Sequence, residues 1–390
     1  MHIMIRRLVR IPFVLRILFR AGADVNMRLA DGLYQLHVAI AEGGRPELVR
    51  VMLGAGADPN LKTTDGWTAL HLAVACNAPL ESLRLLIAHG ADVEAEDAKG
   101  KTPLHLAIQL DTPDEIIEFL IGSGADVMAE DGVGHTPLCM AAHSGSIAHA
   151  RMLIGVGAAV NPAAGARSTP LHQAAIQRDS MMVAYLLGRG ASVHATIHDG
   201  MTPLHLAITN RADSKLVELL LEAGADPNAR FLRGTSPLHI AVTSRAEAQI
   251  LRSLIAAGAD ARAARDDGST PLHLGGSNGD APLLAILIEA GANPNARSLI
   301  GDTPLHSVIK RSGNPDSVGQ LIAAGADVNA QAQDGSTPLH HALMRPGRES
   351  SIDQLLGAGA DLEKTDTSGR TPRSVARPEY ADALHRIARR

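Results

Sequence analysis

The stretch TPLHLA at residues 202–207 decides how this chain folds, because it returns along the sequence, for example without change at residues 102–107. Threonine is a preferred helix N-cap, since its hydroxyl accepts a hydrogen bond from a backbone N–H group that has no partner within the helix. Proline fits the next position, where its missing N–H costs nothing. The leucines and the alanine behind it predict a short apolar helix with small residues for close packing.

Related blocks recur with a step of 33 or 34 residues. They begin at Tyr34, Thr68, Thr102, Thr136, Thr169, Thr202, Ser236, Thr270, Thr303, Thr337 and Thr371. A glycine of a Gly-Ala-Asp type block always precedes such a start by 12 residues, whereas the distance from a start to the next of these glycines is 21 or 22 residues. The connector between units therefore has a constant length, as expected where neighbouring units touch each other.

Each unit has the pattern of two helices and a turn. In the unit that begins at Thr102, Ile117, Leu120 and Ile121 share one face of a second helix, and Gly124 suits the left-handed conformation that ends a helix. A connector rich in Asp, Asn and Gly then predicts a turn. One unit cannot bury its own apolar face, so the sequence predicts an all-α solenoid of stacked helix-turn-helix units with short β-turn or hairpin connectors.

With this period and its Thr-Pro-Leu-His-x-Ala core, the chain resembles the ankyrin-repeat family over residues 24–390. The resemblance implies a half-repeat and first connector at 1–33, ten ankyrin repeats at 34–370 and a capping repeat at 371–390. Residues 14–22 match the second helix of the next repeat. The arginine-rich segment before Asp24 is therefore interpreted as a cap and not as a mitochondrial presequence.

The composition argues against several classes of protein. A net charge of −5 and only 4 Phe, 3 Tyr and 1 Trp are unlike a nucleic-acid-binding protein. The longest apolar runs are too short to span a membrane. Two cysteines, Cys76 and Cys139, cannot form a disulfide framework and fit a reducing cytoplasm, with the nucleus as an alternative. We expect a monomer that binds protein partners and holds no cofactor.

Three motifs suggest chemistry but fit the repeat better. Residues 95–102 satisfy a relaxed phosphate-loop pattern, yet they fall in a connector beside acidic residues. His194 and His198 have the spacing of a zinc-ligand pair but lie in a turn, two repeats from His135, so no metal site is expected. Histidine also fills the fourth position of nine blocks, where the resemblance implies a hydrogen bond between neighbouring repeats. These histidines are His37, His71, His105, His172, His205, His239, His273, His306 and His340.

The expected partner-binding surface is a concave face made of connector tips and first helices. Phe231 stands where other connectors have Asp97 or Asp131, and Phe231 and Leu232 are both apolar at a turn that should face solvent. Leu299 and Ile300 repeat this anomaly two repeats later. Exposed apolar groups beside arginine are enriched in binding hot spots, although the tips could instead pack on each other. The candidate partner-binding residues are Trp67, Met201, Arg230, Phe231, Leu232, Arg233, Arg265, Arg297, Leu299 and Ile300.

Charge is segregated along the sequence. Residues 91–131 contain 11 acidic residues and two lysines, a net charge of −9, whereas residues 228–265 contain six arginines and two acidic residues, a net charge of +4. Such a bipolar surface would steer a partner of the opposite pattern, and the alternative is a solvated face without a partner.

Irregular repeats indicate places where the array could open. The connector at 162–168 lacks its usual Asp and Gly, and Gly275 and Gly276 replace the small helical pair. Each glycine within a helix costs about 1 kcal/mol relative to alanine. We expect opening or bending at 157–200 or at 273–279.

These features predict a non-enzymatic scaffold or adaptor with no catalytic residues. An enzyme or enzyme subunit with an unrecognised groove site is the alternative, because a fold does not settle a function. The resemblance also implies a possible role as a substrate. Members of the family are hydroxylated on a connector asparagine, and Asn26, Asn228 and Asn329 match that position.

Overall fold

A computed structural model describes residues 17, 20–30, 32–162, 167–197 and 199–380. Its described residues form twenty α-helices and one 3-10 turn, without a β-strand beyond two isolated bridges. The chain divides into two compact units, Met1–Ser192 and Val193–Arg390. Most of the half-repeat expected at 1–33 and the last ten residues of the expected capping repeat lie outside the described residues.

The first unit contains five pairs of helices. They are α1 Gln35–Ala41, α2 Pro46–Gly54, α3 Ala69–Ala75, α4 Leu80–Ala88, α5 Pro103–Gln109, α6 Asp114–Gly122, α7 Pro137–Ser144, α8 Ile147–Gly155, α9 Pro170–Gln177 and α10 Ser180–Gly188. Within this unit, the first helix of a pair packs on the first helix of the next pair and on the second helix of its own pair, and α2 packs on α4. The apolar core lies between these two layers.

The second unit repeats this arrangement. Its helices are α11 Pro203–Thr209, α12 Ser214–Glu222, α13 Pro237–Thr243, α14 Ala248–Ala256, α15 Pro271–Asn278, α16 Ala281–Glu289, α17 Pro304–Lys310, α18 Pro315–Ala323, α19 Pro338–Leu343 and α20 Glu349–Gly357. A 3-10 turn at Leu232–Gly234 precedes α13. The predicted all-α solenoid is thereby confirmed. None of the helices in the described part of the chain is long and apolar enough to cross a membrane.

The histidine that recurs at the fourth position of the block has a clear structural role. The Nδ1 atom of His105 accepts the backbone N–H of Thr102 at 3.3 Å, and its Nε2 donates to the carbonyl of His135 in the next connector at 2.9 Å. His71 and His340 make the same pair of bonds, the second of them to Lys101 and Arg370. An imidazole that donates from Nε2 and accepts at Nδ1 is neutral. Each such histidine joins two neighbouring repeats.

Cys139 takes the place of histidine in the repeat that begins at Thr136. Its thiol is buried, 3.5 Å from the hydroxyl of Thr136 and 3.9 Å from the carbonyl of Ser168. Burial raises the pKa of this thiol. Both cysteines are free, and Cys139 shows that a smaller, uncharged side chain also fits this position.

The constant length of the connectors follows from contacts between their tips. The backbone N–H of Ala98 donates to the carbonyl of Asp65 at 3.0 Å, and that of Gly132 donates to the carbonyl of Lys99 at 2.8 Å. Gly100 has a φ of +71°, and a Cβ atom placed there would lie 2.5 Å from the amide nitrogen of Gly132. One inserted residue would shift these bonds out of register, whereas the loop between the two helices of a repeat carries no such constraint.

The glycine pair in α15 is a packing feature. A Cβ atom at Gly276 would lie 2.9 Å from a methyl group of Val308 and 3.0 Å from the carbonyl oxygen of Pro304, both in α17 or at its start. A Cβ atom placed at Gly275 would lie 3.0 Å from a methyl group of Leu284 in α16. Helix α15 is continuous through the pair. The opening expected at 273–279 remains a prediction, but the glycines themselves are explained by close helix packing.

Replacement of Gly276 by alanine is expected to destabilise the protein, although alanine is the better helix former. The added methyl group meets Val308 and Pro304, and overpacking of this kind typically costs ~1–3 kcal/mol. Gly319→Ala in α18 is the matched control, because its Cβ would have 3.6 Å to the nearest atom of Gln354 and should gain ~0.5–1 kcal/mol. Urea unfolding followed by circular dichroism measures both. A stabilised Gly276→Ala would mean that α15 and α17 are not held this closely.

The described part of the C-terminal segment is anchored on the last helix pair. The hydroxyl of Tyr380 donates to the carbonyl of Arg345 at 2.8 Å and accepts from the N–H of Arg348 at 3.2 Å. The N–H of Arg377 donates to the carbonyl of Leu343 at 3.1 Å. Tyr380 is buried, so this segment covers the end of the second unit as far as residue 380.

Candidate partner-binding surface

Three neighbouring connector tips in the second unit carry most of the candidate residues. They are the segments 231–234, 265–268 and 298–301, and we call them the apolar tips. The N–H of Asp266 donates to the carbonyl of Arg233 at 3.1 Å, and the N–H of Leu299 donates to the carbonyl of Asp267 at 2.9 Å. These two backbone bonds hold the three tips side by side and place their outer side chains on one surface.

The side chains that extend furthest from the apolar tips are aliphatic. Leu232 is 61 % exposed, Leu299 67 % and Ile300 59 %. Large apolar side chains with this exposure usually occur singly on protein surfaces. Here Leu232 lies on the first tip and Leu299 and Ile300 lie on the third, with the charged residues 265–267 on the tip between them. These three residues are therefore available for contact, in contrast to the alternative that the tips pack on each other.

Phe231 is placed differently, because its ring packs against its own repeat. It is half-buried and meets the imidazole of His205 edge-on, with ring centroids 5.0 Å apart. The Nε2 of His205 donates to the carbonyl of Ala229 at 3.0 Å, a partner nearer in sequence than in the other repeats. Burial lowers the pKa of His205 to about 4. Phe231 thus supports the tip, and its neighbour Leu232 forms the exposed part.

The change from aspartate to phenylalanine also alters the turn. In the connector that contains Asp97, the carboxylate accepts the N–H groups of Lys99 and Lys101 at 2.7 and 2.9 Å. Phe231 has no such acceptor, and the chain forms a 3-10 turn in which Arg233 has a φ of +60°. A non-glycine residue in this region is strained by about 1–2 kcal/mol. Such strain is concentrated at functional sites.

The four candidate arginines fall into two groups. Arg230 and Arg297 each donate to a carbonyl in the next connector, that of Ala264 and, at 2.8 Å, that of Gln331. Lys62 makes the equivalent bond to the carbonyl of Glu96 in the first unit at 2.7 Å. A basic residue at this position therefore joins neighbouring repeats in both units. Arg233 is exposed. Arg265 is half-buried, and its Nε is buried without a hydrogen-bond acceptor in the described residues.

Trp67 and Met201 occupy the position directly before a threonine cap and are half-buried. The N–H of Trp67 donates to the hydroxyl of Thr63 at 3.1 Å, within its own connector. Met201 accepts the N–H of Ile197 at its carbonyl, at 3.0 Å. Neither residue belongs to the apolar tips, and Trp67 is part of the first compact unit.

The connector asparagines form a second ladder between repeats. The amide of Asn228 donates to the carbonyl of Gly258 at 2.8 Å and accepts the N–H of Asp260 at 2.8 Å. Asn26 and Asn329 make the same two bonds. Sequence analysis did not point to three further asparagines with this pattern, although the repeat register contains them. They are Asn60, Asn161 and Asn295.

The remaining motifs take structural roles where they are described. In the phosphate-loop-like segment, the N–H groups of Ala98 and Gly100 donate to the carbonyls of Asp65 and Asp97, which leaves neither of them for a phosphate. His198 lies outside the described residues. Within the described ranges, no group of three or more His, Cys, Asp or Glu side chains is arranged to hold a metal ion.

Comparison with known proteins identifies the family. A model of ankyrin repeats, three copies in length, matches residues 36–131, 112–197, 138–231, 204–298 and 275–366. The chain therefore belongs to the ankyrin-repeat family, as its resemblance predicted, and ankyrin repeats generally mediate protein–protein interactions.

A solved structure agrees with this assignment. The ankyrin repeat domain of Bcl-3, described as a unique member of the IkappaB protein family, is 31 % identical to this chain, with a TM-score of 0.51. The match covers 56 % of this chain and 98 % of the Bcl-3 domain. The comparison with curated proteins found no match.

Proposed function

We propose that this protein is a non-enzymatic scaffold that binds a protein partner through the apolar tips, as a monomer in the cytoplasm. The single observation that carries the proposal is the exposure of Leu232, Leu299 and Ile300 on the two outer members of three hydrogen-bonded tips. Burial of one such side chain against a partner contributes ~1.5–3 kcal/mol. Three together would supply a binding hot spot.

The arginines of the apolar tips define the partner further. Arg233 is exposed beside Leu232 and is held in a strained conformation, and Arg265 has a buried Nε that lacks an acceptor among the described residues. A carboxylate of the partner would bind the exposed guanidinium of Arg233 with a charge-assisted bond, whereas the buried Nε of Arg265 is out of its reach. The partner surface that fits is therefore aliphatic opposite Leu232 and Leu299, with an acidic residue near Arg233.

The double variant Leu232→Asp/Leu299→Asp is expected to lose the partner and to keep the fold. Both side chains are exposed, so unfolding free energies should change by no more than about 0.5 kcal/mol. The measurement is quantitative affinity purification and mass spectrometry from the native host, with the wild type and the variant as baits. Loss of two hot-spot residues should lower recovery of a specific partner by at least about thirtyfold.

Met181→Asp/Val156→Asp is the matched control, because it also replaces two exposed apolar residues by aspartate. The control should recover the same partner as the wild type. Equal recovery with all three baits would show that the partner binds elsewhere, and equal loss with both variants would show that added negative charge alone is responsible. Phe231→Asp is avoided, because Phe231 supports the turn itself.

A further inference from the structure

A cavity of about 570 Å³ opens in the first unit between the connectors 98–101 and 131–135. Helices α5, α7 and α9 contribute Gln109, Met140 and His143, and Gln173. Cavities that bind small ligands usually have volumes of ~300–1,000 Å³. The cavity is far from the apolar tips in sequence, and its argument does not depend on the proposed function.

The cavity contains polar side chains at a position where the repeat normally has an apolar one. Gln173 is the fourth residue after its threonine cap, and Leu72, Leu106, Leu206 and Leu274 hold this position in other repeats. It is only 6 % exposed. Burial of an amide is costly unless its hydrogen bonds are made. Ser307 and His341 are also polar at this position, so the repeat tolerates a polar side chain here, and Gln173 is the one of the three that lines this cavity.

A hydrogen-bond network holds this glutamine in place. Its Nε2 lies 3.0 Å from Nε2 of His135 and 2.9 Å from the hydroxyl of Ser168, and its Oε1 lies 3.1 Å from Nδ1 of His143. The amide nitrogen can only donate, so His135 accepts at Nε2 and carries its proton on Nδ1. The network joins three repeats and fixes both imidazoles at the wall of the cavity.

Two lysines and one aspartate give the lining of the cavity a net charge of +1, although the cavity lies partly within the acidic segment 91–131. Lys101 donates to Oε1 of Gln109 at 2.5 Å, which leaves two N–H groups of its ammonium without a partner in the described residues. Lys99 adds a second ammonium. Asp131 is the acidic residue of the lining, but its Oδ1 already accepts the N–H groups of Val133 and His135. Burial lowers the pKa of His135, so the lysines supply the positive charge.

We propose that this cavity binds a carboxylate group carried on a short aliphatic chain. Lys101 would bind the carboxylate by charge-assisted hydrogen bonds, with Val133 and Met140 beside the aliphatic part. The group has two possible sources, a free organic acid or a glutamate side chain of a peptide. The chemistry at the cavity is the same for both.

The test uses the full chain labelled at its histidine rings, with glutarate and a capped Ala-Glu-Ala peptide as probes. Binding should shift the imidazole signals of His135 and His143, assigned with His135→Gln and His143→Gln, with a Kd of about 0.1–1 mM. Shifts with glutarate alone assign the cavity to free acids, shifts with the peptide alone assign it to a peptide side chain, and shifts with both show that it accepts the carboxylate from either source. The neutral analogue glutaramide should give no shifts.

Two variants separate a defined site from general charge attraction. Lys101→Gln should weaken binding at least tenfold, as expected for the loss of a charged hydrogen bond, whereas Lys215→Gln on exposed α12 should leave it unchanged. Gln173→Leu restores the residue of the other repeats and should lose the shifts while the protein stays folded. The proposal is overturned if neither probe shifts the two histidines, if glutaramide binds equally well, or if Lys215→Gln weakens binding as much as Lys101→Gln.

Discussion

Acidification is expected to unfold this protein cooperatively at about pH 5. Burial lowers the pKa of five histidines from 6.5 to about 4, and they are His37, His205, His239, His306 and His341. The folded state therefore binds fewer protons than the unfolded state between pH 6.5 and about 4. Stability is complete above pH 6.5 and falls as the pH is lowered through that window.

The loss of unfolding free energy on acidification should be larger than the loss caused by a typical single substitution. A pKa difference of this kind is worth roughly 2 kcal/mol per histidine at about pH 5. Several histidines together reach the ~5–15 kcal/mol by which a folded protein is typically stable. Circular dichroism and urea unfolding across the pH range measure the loss. Retention of full stability below pH 5 would contradict the neutral state of these five buried histidines.

The variant His205→Cys tests whether the histidines that join neighbouring repeats cause the loss of stability at low pH. Cys139 shows that a thiol occupies this position in a folded repeat. We expect the variant to be less stable at pH 7, because two hydrogen bonds are lost, but to show a slope of stability against pH that is smaller by up to ~1.4 kcal/mol per pH unit. His89→Gln, at an exposed position, should leave the slope unchanged.

Gly301→Ala is expected to destabilise the second unit by roughly 3–5 kcal/mol. The φ of Gly301 is +76°, and a Cβ atom there would lie 2.7 Å from the amide nitrogen of Gln333. That nitrogen donates to the carbonyl of Ile300 at 3.0 Å. The substitution therefore combines backbone strain with the loss of a tip-to-tip hydrogen bond. Urea unfolding monitored by circular dichroism gives the free energy.

Gly325→Ala is the matched control, because its φ is +85° and no atom lies within 4 Å of the added methyl group. It should cost only the ~1–2 kcal/mol of an alanine in the left-handed region. Equal losses at the two positions would show that the contact between tips contributes nothing to stability.

The fold class was predictable because the same signals recur in every repeat. Caps, apolar spacing and helix-ending glycines such as Gly124 are local signals, and eleven copies of them remove the ambiguity of any single one. The ladder role of His105 was available only through the resemblance to the family. The register of the asparagines extends this pattern to Asn60 and Asn295, which could have been found by the same alignment of repeats.

The candidate site was predictable only in outline. Unusual apolar residues in connectors indicated Phe231 and Leu232 together, but exposure separates them, since Phe231 packs on His205 and Leu232 extends outward. Arg230 and Arg297 were candidates for contact with a partner, but both donate hydrogen bonds to carbonyls of the next connector. Whether a side chain faces its neighbour or the solvent depends on the stacking of repeats, which no local pattern contains.

The sequence by itself determined the repeat, the position of its caps and the constant connector, because these depend on backbone conformation and on apolar spacing within ~34 residues. Only the tertiary structure decided why Gly276 is a glycine, which arginines are engaged and how Gln173 joins His135 and His143 at one cavity. Each of these depends on atoms from repeats that are adjacent in space and a full period or more apart in the chain. The distances between these atoms result from the packing of neighbouring repeats and cannot be predicted from the sequence of one repeat.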